Sequence, residues 1–367
     1  MKIIKPDYDQ GLLNIMSSIV KHYGCESDYN THLVVDEILR RKYDNLFLIL
    51  VDAMGSKVIE KMLPEDSFIR KHLVCEMTTV YPSTTAAATT VVSSAIPPIR
   101  SGWLGWYMYF QNLNDHRILF FNSSYYTDEP HEPNGIYDEL PYETVGEKLQ
   151  KQNVGYQELY PAFAEDGCKT FKEMMERIES ISKEVHNNYI YCYWDAFDSL
   201  MHKVGVDTDA TKDALLEIND EIELMCSKLD ENQLVMIIAD HGQIDVECFN
   251  LLDYPDICEC FEVLPAVESR TTVFYIKDEM KDRFEKLFEQ YFKDNFILYK
   301  SEDFVNEGYL GTGIKNERLP EFIGDYVACA IDKYCLLYGE GKLIGQHAGL
   351  TEDEMMIPLI VYQKNAL

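Results

Sequence analysis

Apolar residues in this chain fall into short unbroken runs that end abruptly in acids. NLFLILVDAMG (45–55) is the clearest: seven residues without charge, then Asp52, then Gly55. A run of this kind predicts a parallel strand buried on both faces and feeding a loop. QLVMIIADHG (233–242) repeats the pattern, and NYIYCYWDAFD (188–198) does so with Asp195 and Asp198. LVCEMTTVY (73–81) and MMIPLIVY (355–362) read as further strands. Helical spacing of apolar positions appears at 9–22, 31–42, 167–185 and 208–229. TTAAATTVVSSAI (84–96) predicts a helix capped by the Ser/Thr cluster before it. Strands alternating with helices predict an α/β fold with a mainly parallel central sheet flanked by helices. In such sheets, functional loops gather at the carboxyl ends of the strands. Residues 249–340 carry their own strand–helix–strand pattern and predict a small α/β cap inserted into a core of 1–248 and 341–367.

Composition then narrows the options. Aromatics at 12% and apolar residues at 46% supply a sizeable core, so the net charge of −30 does not signal disorder. That charge argues against long nucleic acid and against anionic membranes as partners. No apolar run reaches the length of a membrane span, and the first residues lack the apolar core of a signal peptide. The ten cysteines include no CxxC pair. They read as buried free thiols, which points to a reducing cytoplasm. Cys258 and Cys260 have no local partners with which to hold a soft metal.

Five pieces carry candidate chemistry: Asp52 at a strand end, Thr85 in YPSTTAAATT, Asp198 and His202 in DSLMHKVG, Asp240 and His241 in ADHG, and His347 in GQHAG. Singly each has a plain reading. A strand-end Asp or a Thr pair caps a helix, and Asp198/His202 at i,i+4 share a helix face as an ordinary ion pair would. Together, three Asp and three His are ligands enough for two divalent ions, with Zn2+ the first expectation and Mn2+ an alternative. Two such ions suit an in-line displacement at phosphorus. Thr84 is the alternative to Thr85, and Asp195 the alternative to Asp198. His116 and His131 lack strand-end context and read as surface or core histidines. The aromatic stretch 102–126 is either core and strand or the wall of a substrate slot.

The ordered set of strand-Asp, Pro-Ser-Thr-Thr, Asp-x-x-x-His-x-x-Gly, Asp-His-Gly and Gly-x-His resembles the alkaline phosphatase superfamily, and within it the type I phosphodiesterase/nucleotide pyrophosphatase branch. The resemblance spans 45–362. It implies one metal on Asp198, His202 and His347, and a second on Asp52, Asp240 and His241 with Thr85. The family spacing from Pro82 makes Thr85 the nucleophile, and the Asp-x-x-x-His spacing selects Asp198. The implied activity is hydrolysis of a small phosphate ester through phospho-Thr85, with a phosphomonoesterase or phosphonate hydrolase as the alternative. No Cys-x-Pro-x-Arg motif is present for a sulfatase, and a mutase of this fold would normally use Ser. An inactive binding module would be expected to have lost ligands, and all six are present. The chain departs from the pattern at Ala88, where members usually carry an Asn donor to the phosphoryl oxygen; a group in 103–126 would have to replace it. It departs again at Ala53, where many members have Gly. Gly55 is then expected to open the turn.

Overall fold

The computed structural model describes residues 1–131, 135–184, 188–339, 341 and 343–364. Its centre is a six-stranded sheet in the order Leu73–Thr78, Met356–Tyr362, Gln233–Ile238, Asn45–Val51, Asn188–Trp194, Gly155–Leu159. Every residue of Asn45–Val51 and of Gln233–Ile238 is buried, as unbroken apolar runs require when helices cover both faces. The helices Leu12–His22, Phe171–Glu184 and Asp209–Lys228 begin and end within four residues of the stretches that periodicity marks.

The sheet is mixed. Asn45–Val51 pairs in parallel with Asn188–Trp194 and Gln233–Ile238, but Met356–Tyr362 runs antiparallel to both of its neighbours. An apolar run carries no mark of its direction, so the sequence pattern could not show this. The reversal matters for the site. Residues that precede an antiparallel strand lie at the same edge as residues that follow the parallel ones. The 345–355 segment, with His347, is thereby brought to the carboxyl edge.

Register does the rest. Leu50 pairs with Ile238 and Val51 with Trp194. Two residues past the first pair are Asp52 and Asp240, side by side; one past the second is Asp195. The helix Ala196–Val204 starts there and carries Asp198 and His202.

A second sheet of seven strands, antiparallel at every pairing, abuts this edge. It combines Phe261–Val267, Thr271–Ile276, Phe296–Lys300 and Tyr326–Ala330 with Tyr107–Phe110, Asp115–Ile118 and Ser123–Ser124, joined where Val267 pairs with Tyr107. The stretch 249–340 thus shares its sheet with residues 107–124. Residue 340, where the expected insertion ends, lies outside the described residues. Within 102–126, Trp103 is fully buried and Tyr107–Phe110 and Asp115–Ile118 form strands, as the core-and-strand reading expects, whereas Trp106 and Phe121 are exposed.

Two expectations are corrected. Cys248 and Cys335 form a disulfide between the paired strands Glu247–Asn250 and Tyr334–Leu337, so not all ten thiols are free. The inference from free thiols to a reducing compartment loses that support. Among the described residues no helix is long and apolar enough to cross a membrane. The turn after Asp52 is made at Ala53 and not at Gly55. Ala53 sits at φ +58, the left-handed region that Gly enters most easily. Gly55 serves close approach instead: a Cβ there would lie 2.6 Å from the Cα of Gly242.

Candidate metal centre

Asp52, Asp240 and His241 converge at the carboxyl edge of the main sheet, all buried. Asp240 Oδ1 accepts the backbone N–H groups of Ala53 (3.1 Å) and His241 (3.0 Å). Among the described residues its Oδ2 has no hydrogen-bond partner, and neither has Asp52 Oδ1. His241 Nε2 lies 3.4 Å from Asp52 Oδ1 and 3.5 Å from Asp240 Oδ2. The Nδ1–H of His241 donates to the Gly242 carbonyl at 3.0 Å, which leaves Nε2 unprotonated, as an acceptor. A lone pair facing two unpartnered carboxylate oxygens is an arrangement of acceptors only, and a cation satisfies all three at once.

The neighbouring trio is Asp198, His241 and His347. His347 stacks on His241 with ring centroids 3.8 Å apart, and its Nδ1 contacts the Ser83 carbonyl at 3.3 Å. His202 belongs to neither trio. Its Nε2 lies 3.2 Å from Asp198 Oδ2, its ring is 5.3 Å from that of His347, and its Nδ1–H donates to the Gly345 carbonyl at 2.7 Å. Each of the three histidines therefore turns Nδ1 to a backbone carbonyl and Nε2 toward the cluster, the orientation of metal-ligating imidazoles.

The protonation behaviour fits the same picture. Burial, and then the charges of Asp240 and Asp198, push Asp52 well above the usual carboxylate range. Burial also raises Asp240. Burial and the nearby His241 and His202 hold His347 well below the ordinary imidazole value. Burial opposes charge on His202, but its contact with Asp198 outweighs this and raises it. Like charges crowded in a dry site repel one another, and divalent ions reverse that balance.

Thr85 opens the helix Thr85–Ser94, with Oγ1 3.1 Å from His241 Nε2. The hydroxyl of Thr84 points elsewhere and donates to Glu268 Oε1 at 2.6 Å. The Ser/Thr cluster does not cap this helix as the sequence predicts. Thr84 makes no side-chain cap, and Ser83 Oγ donates to the Gly349 carbonyl at 2.7 Å. These hydroxyls tie the loop before Thr85 to the second sheet and to the His347 segment. Ala88 is fully buried and packs in the main hydrophobic core. Asp195 stands at the N-cap of Ala196–Val204 without a side-chain cap and joins neither trio. His116 is buried against the Leu264 carbonyl (2.9 Å), and His131 contacts Ser124 (2.9 Å).

Several supporting residues carry no motif signal. Tyr193 donates its hydroxyl to Asp52 Oδ2. Gln243 donates to Asp198 Oδ1 at 3.2 Å, and it directly follows Asp-His-Gly, the one signal that could have found it. Glu268 accepts from Thr84 and from the Trp106 backbone N–H (2.7 Å); burial raises its carboxyl to about 7. Arg270 and Glu354, both fully buried, form a bidentate pair at 2.6 and 2.7 Å.

A mixed α/β sheet whose strand ends gather these Asp and His trios beside a helix-opening Thr defines a hydrolase of phosphate esters in the alkaline phosphatase superfamily. Residues 46–334 match the family Type I phosphodiesterase / nucleotide pyrophosphatase, and the chain belongs to that family. Among solved structures it is similar to murine ectonucleotide pyrophosphatase/phosphodiesterase 5, with 16% identity over 87% of each chain and a TM-score of 0.66. An inactive form of that murine protein was solved in complex with AMP. The human counterpart gives 15% identity over 88% of each chain and a TM-score of 0.67. Phosphonoacetate hydrolase from Sinorhizobium meliloti 1021, in complex with phosphonoformate, gives 12% identity, a TM-score of 0.63, and coverage of 89% of this chain and 92% of that one. At these identities the likenesses establish the fold. No curated protein sequence matches the chain significantly.

Proposed function

We propose that this chain is a two-metal phosphodiesterase or nucleotide pyrophosphatase that acts on small phosphate esters through Thr85. The observation that carries the reading is the Thr85 hydroxyl, 3.1 Å from His241 Nε2 beside the unpartnered oxygens of Asp52 and Asp240. Asp52, Asp240 and His241, with Thr85, would hold one divalent ion, and Asp198, His202 and His347 the other, Zn2+ or Mn2+. When bound, such ions lower the pKa of a coordinated hydroxyl and stabilise the attacking and leaving oxygens.

The chain's own groups do the rest. Thr85 Oγ1 gives up its proton to solvent and attacks phosphorus, the bond to the leaving alcohol, nucleoside or phosphate breaks as that oxygen takes up a proton, and phospho-Thr85 forms, still carrying the second ester group of a diester. Water then hydrolyses the Thr85–phosphoryl bond and restores the hydroxyl. Tyr193 and Gln243 orient Asp52 and Asp198, and the carbonyls of Gly242, Gly345 and Ser83 fix the histidine rings. In this reading 1–248 and 341–367 form the metal-binding core and 249–340 the cap.

Hydrolysis of bis(p-nitrophenyl) phosphate against p-nitrophenyl phosphate, with Zn2+ and with Mn2+, tests the reading. The diester should give the higher kcat/KM. A clear preference for the monoester would move the assignment to a phosphomonoesterase on the same core.

A further inference from the structure

The turn between Phe261–Val267 and Thr271–Ile276 delivers three consecutive side chains to the pieces that build the centre. Glu268 accepts from Thr84, Ser269 donates to Gln346 beside His347, and Arg270 pairs with Glu354. Val267 leads into this turn at φ +84, a region that a β-branched residue enters only at a cost. Gly105 packs tightly against it: a Cβ there would lie 2.6 Å from the Val267 carbonyl oxygen. Strained backbone of this kind persists where the surroundings over-determine it, and here its result is to aim Glu268 at Thr84.

Glu268 uses only Oε1 in its two hydrogen bonds; Oε2 has no hydrogen-bond partner among the described residues. No Lys or Arg among the described residues pairs with it. Its neighbour Arg270 is committed to Glu354 and to the carbonyls of Tyr334 and Asp332. Glu268 is hydrogen-bonded to Thr84, the residue directly before the proposed nucleophile. An acid that no Lys or Arg among the described residues pairs, placed beside a site for an anion, acts on the charge of what binds there.

Resting on the phosphodiesterase reading above, we propose that Glu268 is a specificity-determining residue. Its carboxylate favours a singly charged phosphodiester and disfavours a doubly charged phosphomonoester. A diester carries one negative charge on its two non-ester oxygens. A monoester above its second pKa of about 6 carries nearly two, over three such oxygens. The additional charge meets the Glu268 carboxylate wherever the third oxygen is turned toward Thr84.

The test compares kcat/KM for p-nitrophenyl phosphate and bis(p-nitrophenyl) phosphate at about pH 8.5, where both the monoester and this carboxyl are ionised. Glu268→Gln keeps an oxygen to accept from Thr84 and Trp106 but removes the charge. It should raise the monoester-to-diester ratio about 10-fold or more, chiefly through a lower KM for the monoester. Thr84→Val keeps the charge and removes the hydrogen bond, and should leave the ratio within about 3-fold. Calorimetric Kd values for phenyl phosphate against diphenyl phosphate should shift with Glu268→Gln in the same direction. An unchanged ratio in Glu268→Gln, or an equal rise in Thr84→Val, overturns the proposal while leaving the phosphodiesterase reading intact. Failure of the unaltered, metal-loaded enzyme to hydrolyse either ester overturns that reading, and this inference with it.

Discussion

Replacing Thr85 with Ala should lower kcat for a diester by roughly a thousandfold or more, with the fold retained. The expectation rests on where two adjacent hydroxyls point. Thr85 Oγ1 faces His241 Nε2 at 3.1 Å, whereas Thr84 Oγ1 is turned to Glu268 at 2.6 Å. A hydroxyl is a weak nucleophile unless a base or a metal activates it, and only Thr85 lies among groups able to do so. Thr85→Ser, which keeps a hydroxyl, should recover a measurable part of the lost turnover. Thr84→Ala should cost less than about 10-fold, because it loses a positioning bond and no reacting atom. Steady-state kinetics on purified variants, with metal content determined in parallel, separates these cases. Retained turnover in Thr85→Ala would move the nucleophile elsewhere.

The second large effect concerns stability. Arg270 and Glu354 are both fully inaccessible to solvent, and every polar atom shared between them is engaged. Arg270 binds both Glu354 oxygens and reaches the carbonyls of Tyr334 (2.6 Å) and Asp332 (2.9 Å). Glu354 also accepts from the Gly349 N–H (2.7 Å) and the Thr351 hydroxyl (2.6 Å). The pair therefore fastens the second sheet to the segment that carries His347. Arg270→Ala leaves a carboxylate buried without its partner and should cost about 3–5 kcal/mol of unfolding free energy. The double variant Arg270→Met/Glu354→Leu removes both charges and should be less destabilised than Arg270→Ala, since apolar replacement of a buried pair is often near neutral. Urea unfolding midpoints of the variants check both statements. A loss under about 1 kcal/mol in Arg270→Ala would mean that the pair does not hold the segment.

These two cases show what the sequence makes legible. Asp52 and Asp240 stand out because each ends an apolar run, and strand register then sets them side by side. His347 is visible as a motif, but its route to the site depends on a strand running antiparallel, which hydrophobicity does not encode. Glu268 and Arg270 were invisible for a further reason. They lie far from the motifs in sequence and reach the centre only through pairing within the second sheet and its contact with the first. Thr84 reads as a helix cap because that is what Thr does locally; tertiary contact with Glu268 overrides it. Ala53 marks a limit of a different kind. The left-handed turn is kept although the residue that favours it is absent, and the hydrogen bond from the Ala53 N–H to Asp240 Oδ1 ties the corner down.

The central claim is that Asp52, Asp198, His202, Asp240, His241 and His347, with Thr85, hold two divalent ions. Metal analysis of the chain after zinc loading and exhaustive dialysis tests it most directly. Two ions per chain are expected, falling in Asp240→Asn; one ion per chain in the unaltered protein would contradict a two-metal centre.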